Sequence, residues 1–484
     1  MKVYFQFSVH EPLFHQVAKR LREDHGIRDL GGFAWGQDQA DFLKGTGFPW
    51  WRLDVFTDWL AAMPGWRVDM GYLAAAEEKY GFPNFARMVF AERHLLKRYG
   101  HDDIWKLTEI CLRRLEAIFD ADRPDAIFVE SIDSLPMLLL FGVARSRNIP
   151  VVHLDSGRIA GRVAVTRDPL MTWSDVDAVF RARLPLPLLG EPRAEAQRFL
   201  DDFRDKRQRI QAPRPWMFPT PRFDDLKRLW SARRRYLRDP LNPVLTSPMA
   251  MARQKVTRLT NHWRASLSAA FEAPVAGERY VLFPLHYQPE VSTLVMGTYY
   301  LDQAALIEDI AKSLPVGYRL YVKEHFVAIG RRPIEEYHRI RSCFNVRLIH
   351  PLQDPISMVQ HASAVATISG TMGWEAVLME KPTITFGDCF YNSYPQVIRA
   401  GLLPKGEWSR VFREALTNYQ PDREMLLKYI SSILDTTYEG YFSFDHPVID
   451  PTRAMREENF RNIASVIATE LRRFDRRVPT QGAA

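Results

Sequence analysis

The stretch that decides the fold runs from Asp125 to Leu154 and reads DAIFVESIDSLPMLLLFGVARSRNIPVVHL. Its first six residues, DAIFVE, predict a buried strand, and IPVVHL at 149–154 predicts a second one. The apolar run at 135–147 between them predicts a helix. A strand, a crossover helix and a second strand within about 30 residues form a βαβ unit. Such a unit implies a parallel sheet with helices on both faces.

The same alternation extends over the first 190 residues or so. It predicts further elements there: a strand at 2–8, a helix at 13–23, a βα turn at 31–36, and helices at 84–99 and 103–119. A second regular region begins at Arg279, with strands in RYVLFPL, YRLYVKE, NVRLIH, AVATIS and PTITFG. Helical patterns lie between them, at about 302–313, 333–344, 356–361 and 372–380. Five strands alternating with helices predict a second parallel sheet.

The chain between these regions is basic. Residues 203–264 hold 16 Lys and Arg against 4 Asp and Glu, a net charge of +12, whereas the whole chain carries +7. The segment also contains Trp216 and Trp230, and Arg233, Arg234 and Arg235 follow on one helical pattern. This combination predicts a surface that meets an anionic partner, with an acidic membrane preferred and no recognition motif for nucleic acid. The alternative is a helical hairpin whose arginines only face water.

The predicted fold class is therefore α/β and GT-B-like, with two Rossmann-like domains facing a central cleft. The predicted boundaries are 1–190 for an N-terminal Rossmann-like domain, 191–275 for the basic helical segment and 276–448 for a C-terminal Rossmann-like domain. Residues 449–484 are predicted as a C-terminal amphipathic helix and tail, because Phe460, Ile463, Val466 and Ile467 recur at helical spacing.

Composition excludes several classes of protein. With 46% hydrophobic and 25% charged residues the chain is not disordered as a whole. The longest apolar runs are shorter than the roughly 20 residues of a membrane span, and the first residues lack the pattern of a signal peptide. We expect a cytoplasmic protein, with docking on the inner face of the membrane as an open option. The three cysteines are too widely spaced to predict disulfides or a zinc site.

The strongest chemical motif is AVATISGTMGWEAVLMEKPTITFG at 364–387. A strand ends before Ser369, Gly370 and Thr371, and a helix follows. Free N–H groups at a helix N-terminus bind phosphate. This turn therefore predicts a site for the phosphate of a sugar nucleotide, which would be the donor of the sugar. Glu375, one turn into the helix, could accept hydrogen bonds from ribose hydroxyls. Alternatively Thr371 only caps the helix and Glu375 is a favourable first-turn charge.

Two further groups follow predicted strands of the second region. Lys323, Glu324 and His325 emerge together at the carboxyl end of the strand in YRLYVKEHF, where a cation and an imidazole can stabilise a leaving phosphate. The alternative is a Lys–Glu ion pair beside a surface histidine. The strand RYVLFPL is followed at alternating positions by His286, Gln288 and Glu290, and this pattern predicts contacts to the donor sugar. Metal binding by the same three residues is the weaker hypothesis, because no further His or Cys lies nearby in the sequence.

A sugar hydroxyl must lose its proton as it attacks, and a carboxylate at a strand end can accept it. Asp155, after the second strand of the βαβ unit, is the preferred general base, and Glu130 is the alternative. Either carboxylate could instead only cap a loop. Asp201–Asp202 and Asp224–Asp225 do not follow strands, so no metal site and no cofactor are predicted. The chain also lacks a P-loop and a GxGxxG motif.

Three motifs, FPLHYQPE at 283–290, VKEH at 322–325 and SGTMGWEAVLMEKPTITFGDCFY at 369–391, resemble the capsule polysaccharide biosynthesis family, which includes Kdo transferases. The resemblance is good over about 279–394 and looser over 125–173. It implies a metal-independent GT-B glycosyltransferase that uses a CMP-linked acidic sugar, with His325, Ser369 and Thr371 at the donor phosphate and Asp155 similar to the family's acidic residue. One position departs from the family pattern, because Phe326 stands where the family has proline.

The function predicted is transfer of a sugar, such as Kdo, from a nucleotide donor to a lipid-linked or surface-polysaccharide acceptor. Two alternatives stay open at this point. One is a sugar-nucleotide epimerase of the same fold, and the other is a non-catalytic scaffold in capsule assembly or export.

Overall fold

A computed structural model describes residues 1–8, 10–159, 161–206, 224–268, 270–441 and 451–474. The chain forms two compact units, each built on one β-sheet flanked by helices. The first unit contains Met1–Thr172, Leu226–Pro248 and Thr437–Ala484, and the second contains Trp173–Asp225 and Met249–Thr436. Two α/β domains of the Rossmann-like kind are thus confirmed. Their arrangement around a cleft stays a prediction.

The described residues form thirteen strands, seven in the first sheet and six in the second. Those of the first sheet are β1 (Lys2–Gln6), β2 (Asp29–Ala34), β3 (Leu53–Val55), β4 (Ala126–Val129), β5 (Val151–Ser156), β6 (Arg162–Thr166) and, near the C-terminus, β13 (Tyr438–Glu439). Those of the second sheet are β7 (Tyr280–Pro284), β8 (Arg319–Lys323), β9 (Val346–Ile349), β10 (Ala364–Thr367), β11 (Thr383–Thr385) and β12 (Val397–Arg399).

The α-helices follow the same alternation. They are α1 (Glu11–His25), α2 (Gln37–Gly45), α3 (Phe56–Leu60), α4 (Met70–Tyr80), α5 (Phe85–Phe90), α6 (His101–Asp122), α7 (Leu135–Ser146), α8 (Ser174–Arg183), α9 (Gly190–Lys206), α10 (Asp224–Arg238), α11 (Pro248–Leu267), α12 (Val291–Leu294), α13 (Gln303–Ser313), α14 (Ile334–Arg341), α15 (Pro355–His361), α16 (Thr371–Leu378), α17 (Trp408–Thr417), α18 (Arg423–Thr436) and α19 (Glu457–Arg473).

The first sheet has the strand order β13-β6-β5-β4-β1-β2-β3. The predicted βαβ unit is β4–α7–β5, and β4 and β5 pair in parallel as expected. Strand β6 was not predicted. It returns antiparallel beside β5, so that His153 lies opposite Thr166 and its Nδ1 lies 2.9 Å from the threonine hydroxyl.

The second sheet has the order β12-β11-β10-β7-β8-β9 and all its pairs are parallel. The five strands predicted for this region are confirmed as β7 to β11, and β12 extends the sheet beyond β11. Because every strand runs in the same direction, the ends of β7, β8 and β10 lie at one edge of the sheet.

The predicted basic segment at 191–275 is divided between the two units. Leu226–Pro248 lies with the first unit because Asp239 accepts a hydrogen bond from the N–H of Gln37, at 2.7 Å, where α2 begins. Helix α9 lies with the second unit, where Arg204 donates two hydrogen bonds to the Leu378 carbonyl. Charge composition alone does not show these long-range contacts.

The C-terminal amphipathic helix is confirmed as α19, but it is part of the first unit and not a separate region. It packs against α1, and its buried residues Ile463, Ile467 and Leu471 share the core of Val17 and Leu21. An amphipathic helix must cover its apolar face with something. Here the face completes one side of the first sheet.

Candidate functional site

The carboxyl edge of the second sheet carries most of the predicted site residues. His286 follows β7 and is buried. Its backbone N–H donates to the side chain of Gln303 at 2.8 Å, and its Nε2 accepts the backbone N–H of Ser369 at 3.2 Å. Burial comes first among the causes that lower the pKa of His286 to about 3, and the neighbouring His325 and Arg332 act in the same direction. The imidazole is therefore neutral at neutral pH and joins the end of β7 to the turn after β10.

The turn before α16 is fixed by several hydrogen bonds. Gly370 donates its N–H to Thr367 Oγ1 at 3.1 Å and accepts the Tyr391 hydroxyl on its carbonyl at 2.7 Å. The hydroxyl of Ser369 donates to the Ser292 carbonyl at 2.7 Å. The cap position is occupied by Gly370 and no side chain caps the helix, so Thr371 is the first residue of α16 and not its cap. The first N–H groups of this helix are thus left to an external acceptor.

Glu375 is buried inside the second unit and is not an exposed first-turn charge. It is 4% exposed, and its Oε2 makes no hydrogen bond within the described residues. Burial, and then the charge of Asp354, raise the pKa of Glu375 to about 8, while Lys323 acts in the opposite direction. A neutral carboxyl with an unused oxygen can both donate to and accept from a hydroxyl group.

Three consecutive residues at the end of β8 have different hydrogen-bond and ion-pair partners: Lys323, Glu324 and His325. The ammonium of Lys323 is buried and donates to the Pro351 carbonyl at 2.9 Å. Glu324 forms its ion pair with Arg332, at 2.8 Å, and accepts the N–H of His325 at 2.6 Å. The alternative of an ion pair between Lys323 and Glu324 is therefore wrong, because Glu324 pairs with Arg332.

His325 is partly buried, and its Nδ1 accepts the N–H of Val327 at 3.2 Å. That bond leaves Nε2 as the ring nitrogen that can carry a proton. Burial comes first among the causes that lower the pKa of His325 to about 4, so the ring is neutral at neutral pH. In this state it can donate a hydrogen bond to a phosphate oxygen.

Gln288 and Glu290 lie farther along the loop after β7. The amide of Gln288 donates to the Leu301 carbonyl at 3.0 Å, and Glu290 is exposed at the start of α12. Five of the predicted residues lie at the carboxyl edge of the second sheet: His286, Lys323, His325, Ser369 and Glu375. The structure does not place Glu290 at this edge. Sequence reasoning missed Asp354 and Arg332, because their roles depend on side-chain contacts that the strand and helix pattern does not show.

The two candidate bases lie at the carboxyl edge of the first sheet. Asp155 is in β5 and is 7% exposed, and Arg158 donates to it at 3.4 Å. Glu130, after β4, accepts the N–H groups of Ser8 and His10 at 2.6 and 2.7 Å and also contacts the His10 ring at 2.8 Å. Glu130 thus holds the loop after β1, which favours the loop-capping alternative for this residue. Asp155, at the carboxyl end of β5, stays the candidate base.

The predicted anion-contact residues of α10 are on the surface. Arg233, Arg234 and Arg235 are exposed, and Trp230 is 68% exposed. Arg235 also lies 3.5 Å from Asp38. Trp216 lies outside the described residues. Within the described part of the chain, no helix has the length and apolarity needed to cross a bilayer, and no group of three or more His, Cys, Asp or Glu could hold a metal ion.

Comparison with known sequences identifies the segment that carries this edge. Residues 249–402 match the family described as "Capsule polysaccharide biosynthesis protein". The resemblance to the capsule polysaccharide biosynthesis family is confirmed. This family segment, residues 249–402, contains His286, Lys323, His325 and the turn before α16. No curated protein matches the chain.

Solved structures show weaker likeness. KpsC of Thermosulfurimonas dismutans, a beta Kdo 2,4 transferase, is 15% identical, with 72% of this chain and 88% of that chain covered and a TM-score of 0.37. The UDP-GlcNAc 2-epimerase of Neisseria meningitidis, bound to UDP-GlcNAc, is 12% identical, with 98% and 100% covered and a TM-score of 0.30. Both scores are below 0.5, so the assignment rests on the family segment.

Proposed function

We propose that the protein is a glycosyltransferase of capsule polysaccharide synthesis that binds a nucleotide-sugar donor at the carboxyl edge of the second sheet. The observation that carries the proposal is the uncapped N-terminus of α16 beside two neutral histidines and the unused oxygen of Glu375. The family segment supports the same reading, because it contains all these residues.

The donor phosphate is proposed to bind the N–H groups at the start of α16. Backbone donors and the positive end of a helix favour an anion there, with Thr371 Oγ1 as an added donor. His325 donates from Nε2 to a phosphate oxygen and stabilises the charge that appears there as the sugar leaves. Glu375 takes the ribose hydroxyls, since a neutral carboxyl can exchange hydrogen bonds with a diol.

Asp155 is proposed as the general base for the acceptor hydroxyl. It is a buried carboxylate at the end of β5, whereas Glu130 holds the loop after β1 through the N–H groups of Ser8 and His10. If Asp155 is the base, Asp155→Asn keeps the wild-type melting temperature and CMP affinity while transfer falls by at least about 100-fold. Full activity in that variant would make Glu130 the candidate.

The finer identity of the reaction is proposed from the family resemblance. The donor is a CMP-linked acidic sugar such as Kdo, the acceptor is a lipid-linked or polysaccharide glycan, and the reaction needs neither metal nor cofactor. The enzyme is placed in the cytoplasm at the inner face of the membrane, where exposed Trp230 and the arginines of α10 would meet acidic lipid.

The proposal is tested by calorimetry and by product analysis. Wild-type protein should bind CMP, and His325→Ala and Thr371→Ala should each lose about tenfold or more in affinity, the usual effect of one charge-assisted hydrogen bond. Incubation with CMP-Kdo and no acceptor should release CMP slowly. Formation of an epimer from a UDP-sugar would identify an epimerase instead, and no nucleotide binding at all would favour a non-catalytic scaffold.

A further inference from the structure

The turn before α16 uses several of its own hydrogen-bond donors inside the protein. The N–H of Ser369 donates to His286 Nε2 at 3.2 Å. The N–H of Gly370 donates to Thr367 Oγ1 at 3.1 Å. The Ser369 hydroxyl has a single proton, which it donates to the Ser292 carbonyl at 2.7 Å. The phosphate of a sugar nucleotide accepts hydrogen bonds and donates none, so the Ser369 hydroxyl has no proton left for it.

Ser292 carries a hydroxyl that is not used in this way. Its oxygen is buried and has no hydrogen-bond partner within the described residues. The residue as a whole is partly exposed, at the second position of α12. Rotation about one bond moves a serine hydroxyl between staggered positions, so this hydroxyl can turn toward a bound group. Burying a hydroxyl without a partner costs free energy, and a ligand oxygen that accepts its hydrogen bond would remove that cost.

The loop after β7 is clamped against the end of β10, and the clamp holds Ser292 in place. The Met296 carbonyl accepts the N–H of Asp388 at 2.8 Å. A Cβ on Gly297 would lie 2.3 Å from Cγ2 of Ile368, the last residue before the turn. A larger side chain at Gly297 would therefore push the loop away from β10. Together with the hydrogen bond to the Ser292 carbonyl, these contacts fix the serine beside the turn before any ligand binds.

We propose that Ser292 donates a hydrogen bond from its hydroxyl to a phosphate oxygen of the donor nucleotide at the start of α16. This inference rests on the proposed function and adds to it a binding residue outside the helix and its turn. Phosphate is favoured because the Ser292 carbonyl is bonded to Ser369 of the turn itself. Oxygens of the donor sugar could accept the same hydrogen bond, and the experiment separates them from phosphate.

The stability of the free protein is the first readout. Ser292→Ala removes a buried hydroxyl that has no partner within the described residues, so the full-length variant should melt at the wild-type temperature or above it. A residue kept for binding and not for folding has this signature. A melting temperature below that of wild type would show that the hydroxyl is bonded in the free protein, and it would overturn the proposal.

Binding of CMP and of cytidine to the full chain is the second readout, because the two probes differ only in the phosphate. Calorimetry measures CMP, and ligand-observed NMR measures the weaker cytidine complex. We expect Ser292→Ala to lose about tenfold in affinity for CMP and to bind cytidine within about twofold of wild type.

Ser342→Ala is the matched control, because the Ser342 hydroxyl is exposed at the end of α14 and donates to the Arg339 carbonyl at 2.7 Å. This variant should bind both probes as wild type does. Unchanged CMP affinity in Ser292→Ala would overturn the proposal and leave the donor sugar as the alternative acceptor. An equal loss for CMP and cytidine would also overturn it, because the hydroxyl would then act on the nucleoside. Wild-type protein that binds neither probe would overturn the proposed function itself.

Discussion

At the scale of single residues, the site is built from side chains whose charges burial has changed. His286 and His325 are neutral because desolvation favours the uncharged imidazole, and Glu375 is neutral because desolvation favours the protonated carboxyl. The residue types were predicted from the sequence. Their protonation was not predicted, because it depends on burial and on neighbours such as Asp354 and Arg332, whose contacts the sequence pattern does not show.

The protonation of Glu375 makes stability depend on pH. Its pKa in the folded protein, about 8, is above the ordinary value of 4.5, so the folded state retains the proton more strongly. The contribution of protonated Glu375 to the free energy of unfolding is fully present below pH 4.5. It decreases as the pH rises toward 8, by up to about 1.4 kcal/mol per pH unit. Glu375→Gln should remove this decrease, so its unfolding free energy should exceed that of wild type by more at pH 8 than at pH 5.

Urea unfolding at pH 5, 6.5 and 8 measures this difference. Glu458→Gln, at an exposed position of α19, is the control and should follow wild type at each pH. A constant difference between Glu375→Gln and wild type at all three pH values would show that Glu375 is ionised in the folded protein.

At the scale of elements, the turn into α16 depends on close packing against Tyr391. A Cβ on Gly373 would lie 2.2 Å from the Tyr391 hydroxyl, which donates to the Gly370 carbonyl at the cap of the helix. The alternation of strands and helices predicted β10, α16 and β11 from apolar patterns. It did not predict that the first turn of α16 is held by a tyrosine from a later segment.

Gly373→Ala should therefore disturb the proposed phosphate site through Tyr391. We expect a loss of about 1–3 kcal/mol in the free energy of unfolding, as for other overpacked positions, together with weaker binding of CMP. Gly406→Ala is the control, because nothing lies within 4 Å of a Cβ at that glycine. Wild-type CMP affinity in Gly373→Ala would mean that the turn does not hold the nucleotide.

At the scale of the whole molecule, the sequence predicted two α/β domains but not how the chain is shared between them. Helix α10 belongs to the first unit, to which Asp239 joins it by a hydrogen bond from Gln37. Helix α19 belongs to the same unit because its apolar face packs in the core of the first sheet. Local patterns show that a helix is amphipathic but not which sheet it covers. The antiparallel strands β6 and β13 were also missed. Strand β6 returns beside β5, and the two-residue β13 pairs with β6 from near the C-terminus.

The exposed basic face of α10 leads to a prediction about membranes. Trp230 and Leu237 are both exposed, about two helical turns apart, with Arg233 and Arg234 between them in the sequence. Cosedimentation with vesicles should increase with acidic lipid and decrease with salt, because each arginine near an anionic surface contributes about 1 kcal/mol.

The double variant Arg233→Glu/Arg234→Glu should lose vesicle binding, and it leaves the contact of Arg235 with Asp38 intact. Arg341→Glu/Arg413→Glu changes the charge equally at exposed positions of α14 and α17 and should still bind. Wild-type protein that stays in the supernatant with acidic vesicles at low salt would show that α10 is only a solvated helix.

A crystal structure of the full chain with CMP decides whether the second unit binds the donor nucleotide at the start of α16. We expect the phosphate at the N–H groups of Thr371 and Met372, within hydrogen-bond distance of His325, and a ribose hydroxyl against the unused oxygen of Glu375. CMP bound at any other place in the chain, with the N-terminus of α16 unoccupied, would show that this site is not the nucleotide site.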